Sequence, residues 1–419
     1  MYSAINQCRI CGNKNLVKVL DLGEQTLTGV FPRRKDQVIT RGPLQLVKCT
    51  GNVECCGLLQ MAHSYDLGEM YGDNYGYRSG LNPSMVKHLH AKVARILRIV
   101  DLSDSPIVLD IGSNDGTTLS AYPSQKCTRV GMDPTSDKFR QYYPEGVTAI
   151  ADFFSARRFS EEFPGRKVRV VTSFSMFYDL ERPMDFVREV AEILDERGIW
   201  VFEQSYMPLM LERNSYDTAC HEHLEYYGLR QIDWMLRRCG LKIVDVEFND
   251  VNGGSFSVTA ARTDSAFVES LDAKGVLARE VAEGLDGLEP YIEFARRAEA
   301  SRDELRAFVS AARVEGRRVA CLGASTKGNV LLQYCGFTEN DVEAVGEVNP
   351  DKFETFTPGT LLPIVDEHEL LASEPDYLIV LPWHFRDFFM QKYNLKNSRL
   401  VFPLPRLEII GSAVAKEFK

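Results

Sequence analysis

Residues 107–119 read IVLDIGSNDGTTL, an apolar run followed by a glycine turn and the start of a helical pattern. The apolar run has the length and composition of a buried β-strand. Gly112 and Gly116 let the backbone of the turn approach a ligand closely, and Asp110 places a carboxylate beside them. The first amides of the new helix have no partner within the helix. The stretch therefore predicts a strand, a turn and a helix that bind a small polar ligand.

The spacing of the turn indicates which ligand it binds. Dinucleotide sites use G-x-G-x-x-G, whereas this turn reads D-x-G-x-x-x-G, which argues against NAD. The form suits S-adenosylmethionine, because that cofactor carries no pyrophosphate. Asp133 ends the next strand, where a carboxylate can accept both ribose hydroxyls, and Asp152 with Phe153 is a candidate for the adenine edge. The predicted cofactor residues are Asp110, Gly112, Asn114, Gly116, Asp133, Asp152 and Phe153. A structural turn in an unrelated Rossmann-like domain is the alternative.

Apolar and helical segments alternate on both sides of this turn. A helical pattern covers residues 84–100. The runs with strand character are PIVLDIG (106–112), RVGMD (129–133), VRVVTSF (168–174), GIWVFEQ (198–204) and LKIVDVEF (241–248). Such alternation is typical of an α/β fold with a mostly parallel sheet covered by helices.

A second alternation follows a polar helical segment. Its apolar runs are RRVACLGAS (317–325), VEAVGEVN (342–349) and DYLIVLPW (376–383), which predict a second, smaller doubly wound domain. The predicted domains are a cysteine-rich and glycine-rich domain at 1–66, the first sheet domain at 67–264, a helical connector at 265–312 and the second sheet domain at 313–419.

The composition excludes several classes of protein. The 419 residues exceed one ordinary domain, and 44% apolar with 26% charged residues is ordinary for a folded globular chain. The N-terminus does not resemble a secretion signal and no apolar run approaches ~18 residues, so we expect a cytoplasmic protein that crosses no membrane. The formal net charge of -10 argues against nucleic-acid and membrane partners. We expect a small-molecule substrate and a monomer or small homo-oligomer.

Ten cysteines in a reducing compartment indicate metal binding or core packing rather than disulfides. Cys8 and Cys11 form a C-x2-C knuckle, whose thiolates can reach one tetrahedral Zn2+. Cys49 and Cys56 complete the predicted site, with Cys55 as the substitute for Cys56; cysteines without metal are the alternative. Four thiolates leave no open position on the ion, so the zinc is expected to be structural. We expect this first domain to be a small knuckle without a conventional hydrophobic core.

A histidine cluster, CHEH at residues 220–223, lies between a strand and a helical pattern. Two positions apart, its histidines cannot bind one metal from one helix as H-E-x-x-H does. His223 is the candidate general base, with Glu222 beside it to fix its tautomer. Histidines satisfied within the core are the alternative. The hydroxyls expected near a developing enolate oxygen are those of Tyr75, Tyr77, Tyr216, Tyr226 and Tyr227.

A set of ordered motifs spans almost the whole chain: CRICG, LDLGEQTLTGVFP, CGLLQ, DIGSNDG, HEHLEYY, NDVNGGSFSV, GASTKGNVLLQY and LPWHF. In this order they resemble the sugar C-methyltransferases of deoxysugar biosynthesis, the family that includes the 3-C-methyltransferase of tetronitrose formation. The resemblance implies a small N-terminal zinc-binding domain, a central Rossmann-like class I methyltransferase domain and a C-terminal Rossmann-like domain that holds the nucleotide of the sugar. It implies S-adenosylmethionine and structural Zn2+ as cofactors and a dTDP-, GDP- or CDP-linked sugar as substrate.

The same resemblance implies a mechanism. His223, beside Glu222, takes a proton from the sugar carbon next to a ketone, and the enolate then attacks the methyl group of the cofactor. Two positions depart from the family: its tyrosine before H-E-H is Cys220 here, and its histidine after VRVVTSF is Asp179. Because both family residues line the substrate, the sugar or the methylated carbon is expected to differ. The predicted catalytic set is His223, Glu222, His221, Tyr75, Tyr77, Asp179 and Cys220.

The turn GASTKGN follows a strand of the second sheet domain, and its glycines and polar side chains could cradle a diphosphate. By resemblance this turn contacts the nucleotide-sugar. A plain strand-to-helix turn with a surface lysine is the alternative, and Trp383 could simply pack. The predicted substrate residues are Ser325, Thr326, Lys327, Asn329 and Trp383.

The function predicted from the sequence is methylation of a carbon atom in a nucleotide-linked keto sugar. The alternatives are O-methylation of a sugar hydroxyl, a zinc-containing RNA methyltransferase and a non-catalytic nucleotide-sugar-binding protein. Net acidity and the lack of interleaved basic and aromatic residues near the cysteines disfavour RNA.

Overall fold

The N-terminal region is built on a long antiparallel hairpin. The computed structural model describes residues 1–52, 54–71, 78–393, 395 and 397–411. The elements of this region are β1 (Tyr2–Ala4), β2 (Leu16–Thr26), β3 (Arg41–Cys49), β4 (Leu59–Met61), β5 (His63–Tyr65) and α1 (Leu67–Tyr71). β2, β3 and β4 pair antiparallel, and β1 pairs with β5.

This hairpin contradicts the expectation of a knuckle without a core. Leu20 and Leu22 alternate with exposed residues on β2 and are buried, as are Leu44 and Leu46 on β3. All four belong to an apolar cluster that continues into the C-terminal domain. The prediction failed because the apolar face of the hairpin is covered by residues far along the chain, which local periodicity does not show.

The central domain is an α/β sheet domain, as predicted. Its elements are α2 (Pro83–Ile99), β6 (Ile107–Ile111), α3 (Thr117–Ser120), β7 (Thr128–Met132), β8 (Val147–Ile150), α4 (Ala156–Glu162), β9 (Val168–Phe174), α5 (Pro183–Ile193), β10 (Leu194–Ser205), α6 (Met207–Glu212), β11 (Glu225–Tyr226), α7 (Leu229–Arg238), β12 (Leu241–Asn249) and β13 (Ser255–Arg262). The sheet order is β12-β13-β10-β9-β6-β7-β8. Pairing is parallel except at β13, which is antiparallel to both neighbours.

Burial explains why the apolar run at residues 107–111 forms an interior strand of this sheet. Every residue of β6 is buried, as expected for a parallel strand with both faces covered. Asn82 caps α2 by accepting hydrogen bonds from the amides of Ser84 and Met85, and Pro83 occupies the first helical position. The apolar run thus forms the buried strand β6, and the capping residues fix the start of α2, as the sequence pattern predicts.

The connector and the C-terminal domain also follow the predicted alternation. Their elements are α8 (Leu271–Ala282), α9 (Glu289–Val314), β14 (Val319–Leu322), α10 (Thr326–Cys335), β15 (Val345–Glu347), β16 (Ile364–Asp366), α11 (Glu367–Ala372), β17 (Tyr377–Val380), α12 (Arg386–Lys392), β18 (Arg399–Phe402) and β19 (Glu408–Ile410). The sheet order is β16-β15-β14-β17-β18-β19, with only the β18–β19 pair antiparallel among these described strands.

The N-terminal region and the central domain are joined by a common β-sheet. β11, which follows the CHEH cluster, pairs with β4 of the N-terminal hairpin and completes the sheet order β11-β4-β3-β2. Short 3-10 turns at Phe177–Asp179, Tyr216–Thr218, Val251–Gly253 and Trp383–Phe385 connect the larger elements. Within the described ranges, no helix combines the length and apolar character that crossing a bilayer requires.

Candidate functional site

Four cysteines of the N-terminal region form a cluster suited to one metal ion. The sulfur atoms of Cys8, Cys11, Cys49 and Cys56 all lie within 4.8 Å of one another. The Cys8–Cys56 and Cys11–Cys49 sulfur pairs are each 3.5 Å apart. Tetrahedral zinc with bonds near 2.3 Å places its sulfurs about 3.8 Å apart, so the cluster fits Zn2+. Cys55 is outside this set, which favours Cys56 as the fourth ligand.

The segment that carries the thiol cluster is hydrogen-bonded to the central domain. Gln231 on α7 donates from Nε2 to the carbonyl oxygens of Cys56 and Gly57, at 3.0 and 3.2 Å. The backbone amide of Met61 also donates to the carbonyl of Leu224, one residue after the CHEH cluster. A metal at the cysteines would therefore stabilise the segment that carries His223 without contacting it.

The glycine turn after β6 has the conformation that its glycines predict. Gly112 and Gly116 have φ values of 71° and 77°, and Asn114 between them has φ of 50°. The amides of Gly112 and Gly116 donate to the carbonyls of Met132 and Ser113, so the protein's own hydrogen bonds fix this left-handed turn. Asn114 Oδ1 accepts a hydrogen bond from the amide of Ser79, which ties the turn to the segment before α2.

Asp110 is the buried carboxylate beneath this turn. It is 2% exposed and accepts a hydrogen bond of 2.5 Å from the hydroxyl of Thr172 on β9. Burial raises the pKa of Asp110 to about 7. A cationic group bound nearby would favour ionisation of this carboxyl group, which suits the charged methionine portion of S-adenosylmethionine.

The other predicted cofactor residues stand at the ends of the next two strands. Asp133 follows β7, and its carboxylate accepts the amides of Asn114 and Thr135 at 2.9 and 2.7 Å. Asp152 and Phe153 follow β8 and are exposed, with Phe153 retaining 59% of its accessible surface. An exposed aromatic ring at this strand end is available to contact a planar base.

His223 combines a fixed tautomer with partial exposure. Its Nδ1 lies 3.1 Å from the carbonyl oxygen of Thr218, so Nδ1 carries the proton and the lone pair of the neutral ring is on Nε2. Burial and the charge of Lys327 lower the pKa of His223 to about 4, against the opposing hydrogen bond to Thr218. The ring contacts Tyr178, with centroids 4.4 Å apart. This geometry leaves Nε2 unprotonated at neutral pH, as a proton acceptor must be.

The expected pairing of His223 with Glu222 is wrong. The carbonyl of Thr218 occupies the position at Nδ1, because the turn at residues 221–222 sends neighbouring side chains in different directions. The carboxylate of Glu222 instead lies against Gly29, where a Cβ atom would collide with its Oε1. Burial raises the pKa of Glu222.

His221 lies in a different environment from His223. It is fully buried, its Nδ1 is 3.4 Å from the hydroxyl of Thr28, and its ring packs edge-on against Tyr65 of the N-terminal region. Burial lowers its pKa to about 3. Its predicted catalytic role stays a prediction, since these contacts are those of a residue packed between domains.

The tyrosines expected to stabilise an enolate are buried side chains. Tyr226 donates its hydroxyl to the carbonyl of His223 at 3.1 Å. Tyr227 is 1% exposed and stacks on Phe177, and Tyr216 is fully buried. Their role at an enolate oxygen stays a prediction. Tyr75 and Tyr77 lie outside the described residues.

Cys220 and Asp179, where the sequence is expected to depart from the family pattern, lie close to each other. Cys220 is 1% exposed, and burial raises its thiol pKa, with the charges of Glu222 and Asp179 adding to the effect. Asp179 ends the 3-10 turn after β9, and the amide of Leu224 donates to the carbonyl of Tyr178 beside it. Cys220 and Asp179 therefore share one local environment.

The turn GASTKGN of the C-terminal domain contacts the central domain. Lys327 is partly exposed and donates from Nζ to the carbonyl of Asn252, at 2.8 Å, in the loop of NDVNGGSF. Thr326 Oγ1 lies 3.7 Å from the Cβ position of Gly29. Ser325 accepts the amide of Gly328 and so caps α10. The plain surface lysine considered from the sequence is excluded, because Lys327 contacts the central domain.

Two further predicted substrate residues hold the domains together. Asn329 is fully buried and donates to the carbonyl of Thr28 at 2.8 Å. Trp383 donates from Nε1 to Asp217 at 2.8 Å. Both remain candidates for substrate binding, but their described hydrogen bonds are contacts between domains.

Several residues of this site escaped the sequence prediction. They are Thr218, whose carbonyl accepts the hydrogen bond of His223; Gly29, which has no side chain to collide with Glu222; and Asp217, which accepts the indole N–H of Trp383. His384, beside Trp383, was considered from the sequence as a residue that could simply pack. Burial and the charge of Lys327 lower the pKa of His384 to about 3. In the sequence, the segments that carry these residues could be recognised from the motifs YDTACHEH, LTG, NDVNGG and LPWHF. The motifs do not indicate that the four segments lie close together in the folded chain.

Comparison with known families gives three adjoining matches along the chain. Residues 8–71 match a zinc binding domain, residues 85–246 a methyltransferase domain, and residues 250–405 a C-methyltransferase C-terminal domain. C-methyltransferase NovU of Streptomyces niveus is 28% identical over 415 residues, covering 97% of each chain.

Solved structures are similar over a smaller share of the chain. The mitomycin 7-O-methyltransferase MmcR is 11% identical, with a TM-score of 0.34, and covers 43% of this chain and 55% of its own. Magnesium protoporphyrin IX methyltransferase ChlM from Synechocystis, solved with bound S-adenosylmethionine, is 14% identical with a TM-score of 0.34 and covers 47% of this chain and 89% of its own.

The chain is a methyltransferase and a homologue of C-methyltransferase NovU. The predicted resemblance to C-methyltransferases is confirmed, as are the fold of three parts and the cofactors S-adenosylmethionine and Zn2+.

Proposed function

We propose that this enzyme methylates a carbon atom next to the ketone of a nucleotide-linked deoxysugar. The observation that carries the proposal is the hydrogen bond from His223 Nδ1 to the carbonyl of Thr218, which leaves Nε2 as the acceptor of a carbon-bound proton. The homologous C-methyltransferase supports transfer to carbon.

In the proposed reaction, the substrate lies between the central and C-terminal domains, where His223, Lys327 and Asn252 come from different segments. Nε2 of His223 takes the proton, and the pair of electrons from the C–H bond forms an enolate. S-adenosylmethionine supplies an electrophilic methyl group on its sulfonium sulfur. In-line attack requires the enolate carbon within roughly 3–3.5 Å of that methyl group, so positioning supplies much of the rate.

The proposed cofactor contacts are the residues of the turn and the two strand ends. Asp110 and the turn at Gly112–Gly116 would hold the methionine portion, Asp133 the ribose, and Asp152 with Phe153 the adenine. Their support is the left-handed turn and the exposed Phe153 ring. The substrate nucleotide is proposed to be dTDP, GDP or CDP, bound by the C-terminal domain.

Deuterium exchange combined with product analysis tests this function. The full chain is incubated in deuterated water with dTDP-, GDP- and CDP-linked 4-keto-6-deoxyhexoses, with and without S-adenosylmethionine carrying a 13C methyl group. We expect exchange at the carbon next to the ketone and, with the cofactor, a methyl group bonded to carbon in the NMR spectrum. A product with an O-methyl group, or methylation of bulk RNA with none of the sugars accepted, would overturn the proposal.

A further inference from the structure

Lys327 is a cation of the C-terminal domain that reaches the segments around His223. It belongs to α10 but donates to Asn252 of the central domain. α10 also packs against the 3-10 turn Tyr216–Thr218, whose Thr218 carbonyl binds Nδ1 of His223. The charge of Lys327 lowers the pKa of His223 and of His384, and all three side chains are partly exposed.

Asp217 lies in the same short turn as the group that orients His223. Its Oδ2 accepts the indole N–H of Trp383, and the next residue, Thr218, provides the carbonyl that orients His223. One short turn thus connects His223 to the segment that carries Trp383 and His384. Asp217 Oδ1 and His384 Nδ1 are buried and have no hydrogen-bond partner within the described ranges. Both atoms are therefore available to form hydrogen bonds with polar atoms of a ligand.

We propose that Lys327 is a catalytic residue whose ammonium group stabilises the enolate oxygen while His223 removes the proton. The inference rests on the proposed function and replaces the diphosphate contact predicted for Lys327. A fixed cation beside the developing oxyanion supplies electrostatic stabilisation of the kind that the sequence led us to expect from tyrosine hydroxyls.

The electron balance places the charge next to this lysine. When Nε2 of His223 accepts the proton, the C–H electron pair becomes a C=C bond and the carbonyl π electrons move onto oxygen, which Lys327 stabilises while keeping its own proton. When the new C–C bond forms, the electrons of the methyl–sulfur bond stay on sulfur and the carbonyl is restored. A cation held beside the developing oxyanion lowers the barrier to the first step.

The test separates stabilisation of the enolate from binding of a diphosphate. Lys327→Met keeps the approximate volume and removes the charge, whereas Lys327→Arg keeps a charge; Lys392→Met, on the surface helix α12, is the matched control. We expect Lys327→Met to slow deuterium exchange and kcat by about 10²–10³-fold with little change in KM, and Lys327→Arg to restore part of the rate. A raised KM with unchanged kcat and exchange rate overturns the inference.

A second measurement does not depend on the substrate. NMR titration of 13C-labelled histidines, with His223→Gln used to assign the signal, reports the pKa of His223 in the wild type and in Lys327→Met. We expect the pKa of His223 to rise when the lysine is removed, while the signals of a folded chain persist. An unchanged pKa would show that the lysine does not face the base. Failure of the wild type to exchange or methylate any of the nucleotide-linked sugars would instead refute the proposed function.

Discussion

The carbonyl oxygen of Thr218 lies 3.1 Å from Nδ1 of His223 and thereby decides which nitrogen of the imidazole can act as a base. A carbonyl oxygen accepts a hydrogen bond and cannot donate one, so the proton of the neutral ring stays on Nδ1. The orientation of the base therefore depends on a backbone atom five residues earlier, rather than on the neighbouring carboxylate of Glu222.

Replacing His223 by glutamine should abolish most of the enolisation. The amide cannot accept the proton, so we expect deuterium exchange and methyl transfer to fall by roughly 10²–10⁴-fold while the chain stays folded. His368→Gln, on exposed α11, is the control and should retain the wild-type rate. Wild-type exchange in His223→Gln would assign the base elsewhere.

The thiol cluster predicts which cysteines bind zinc. Cys56→Ser should lose the metal and lower Tm, because it removes one of four ligands whose region is hydrogen-bonded to Gln231. Cys55→Ser is the matched control, since its thiol is outside the cluster, and should keep one equivalent of zinc. Metal analysis and thermal unfolding measure both. Zinc retained in Cys56→Ser but lost in Cys55→Ser would contradict the assigned ligand set.

The buried carboxyl of Asp110 predicts a pH dependence of cofactor binding. Burial raises its pKa to about 7, so in the free protein it is protonated below pH 7 and ionised above. The ammonium group of S-adenosylhomocysteine, which has no sulfonium charge, favours the ionised form when it binds beside this carboxyl group, and binding below pH 7 must also remove this proton. Calorimetry with S-adenosylhomocysteine should therefore show affinity rising from pH 6 to pH 8, with proton release at the lower pH.

Asp110→Asn provides the control for that pH dependence. The amide does not titrate, so the affinity of the variant should be weaker and nearly constant over the same range. The same slope in the variant and in the wild type would assign the titrating group elsewhere.

The close contact between Gly29 and Glu222 predicts that position 29 tolerates no side chain. A Cβ atom at this position collides with Oε1 of Glu222, so Gly29→Ala must displace either the carboxylate or the segment LTG. We expect a loss of about 1–3 kcal/mol in the free energy of unfolding and a lower kcat/KM. Gly275→Ala, in α8 with nothing within 4 Å of its Cβ position, should instead stabilise the chain by about 0.5–1 kcal/mol. Equal effects of the two substitutions would contradict the collision.

The alternation of apolar runs was sufficient to predict two sheets and the order of the regions, but not every strand. β6, β7, β9, β10 and β12 lie where the sequence placed strands, whereas β8 and β13 of the same sheet were not predicted. β6, β7 and β9 are parallel strands that are mostly buried and therefore mostly apolar. The long strands of the N-terminal hairpin were missed, because only alternate residues of these strands are apolar. The residues that cover this apolar face belong to the C-terminal domain.

The sequence by itself identified the candidate residues: the glycine turn, the cysteine set and the histidine at 223 are recognisable from residue type and spacing. Only the tertiary structure decided their partners. It gave His223 a backbone carbonyl instead of Glu222, buried three candidate tyrosines, and placed Lys327 of the C-terminal domain against Asn252 of the central domain. The reason is physical: spacing along the chain constrains local conformation, whereas hydrogen bonds and charges act between atoms that only folding brings together.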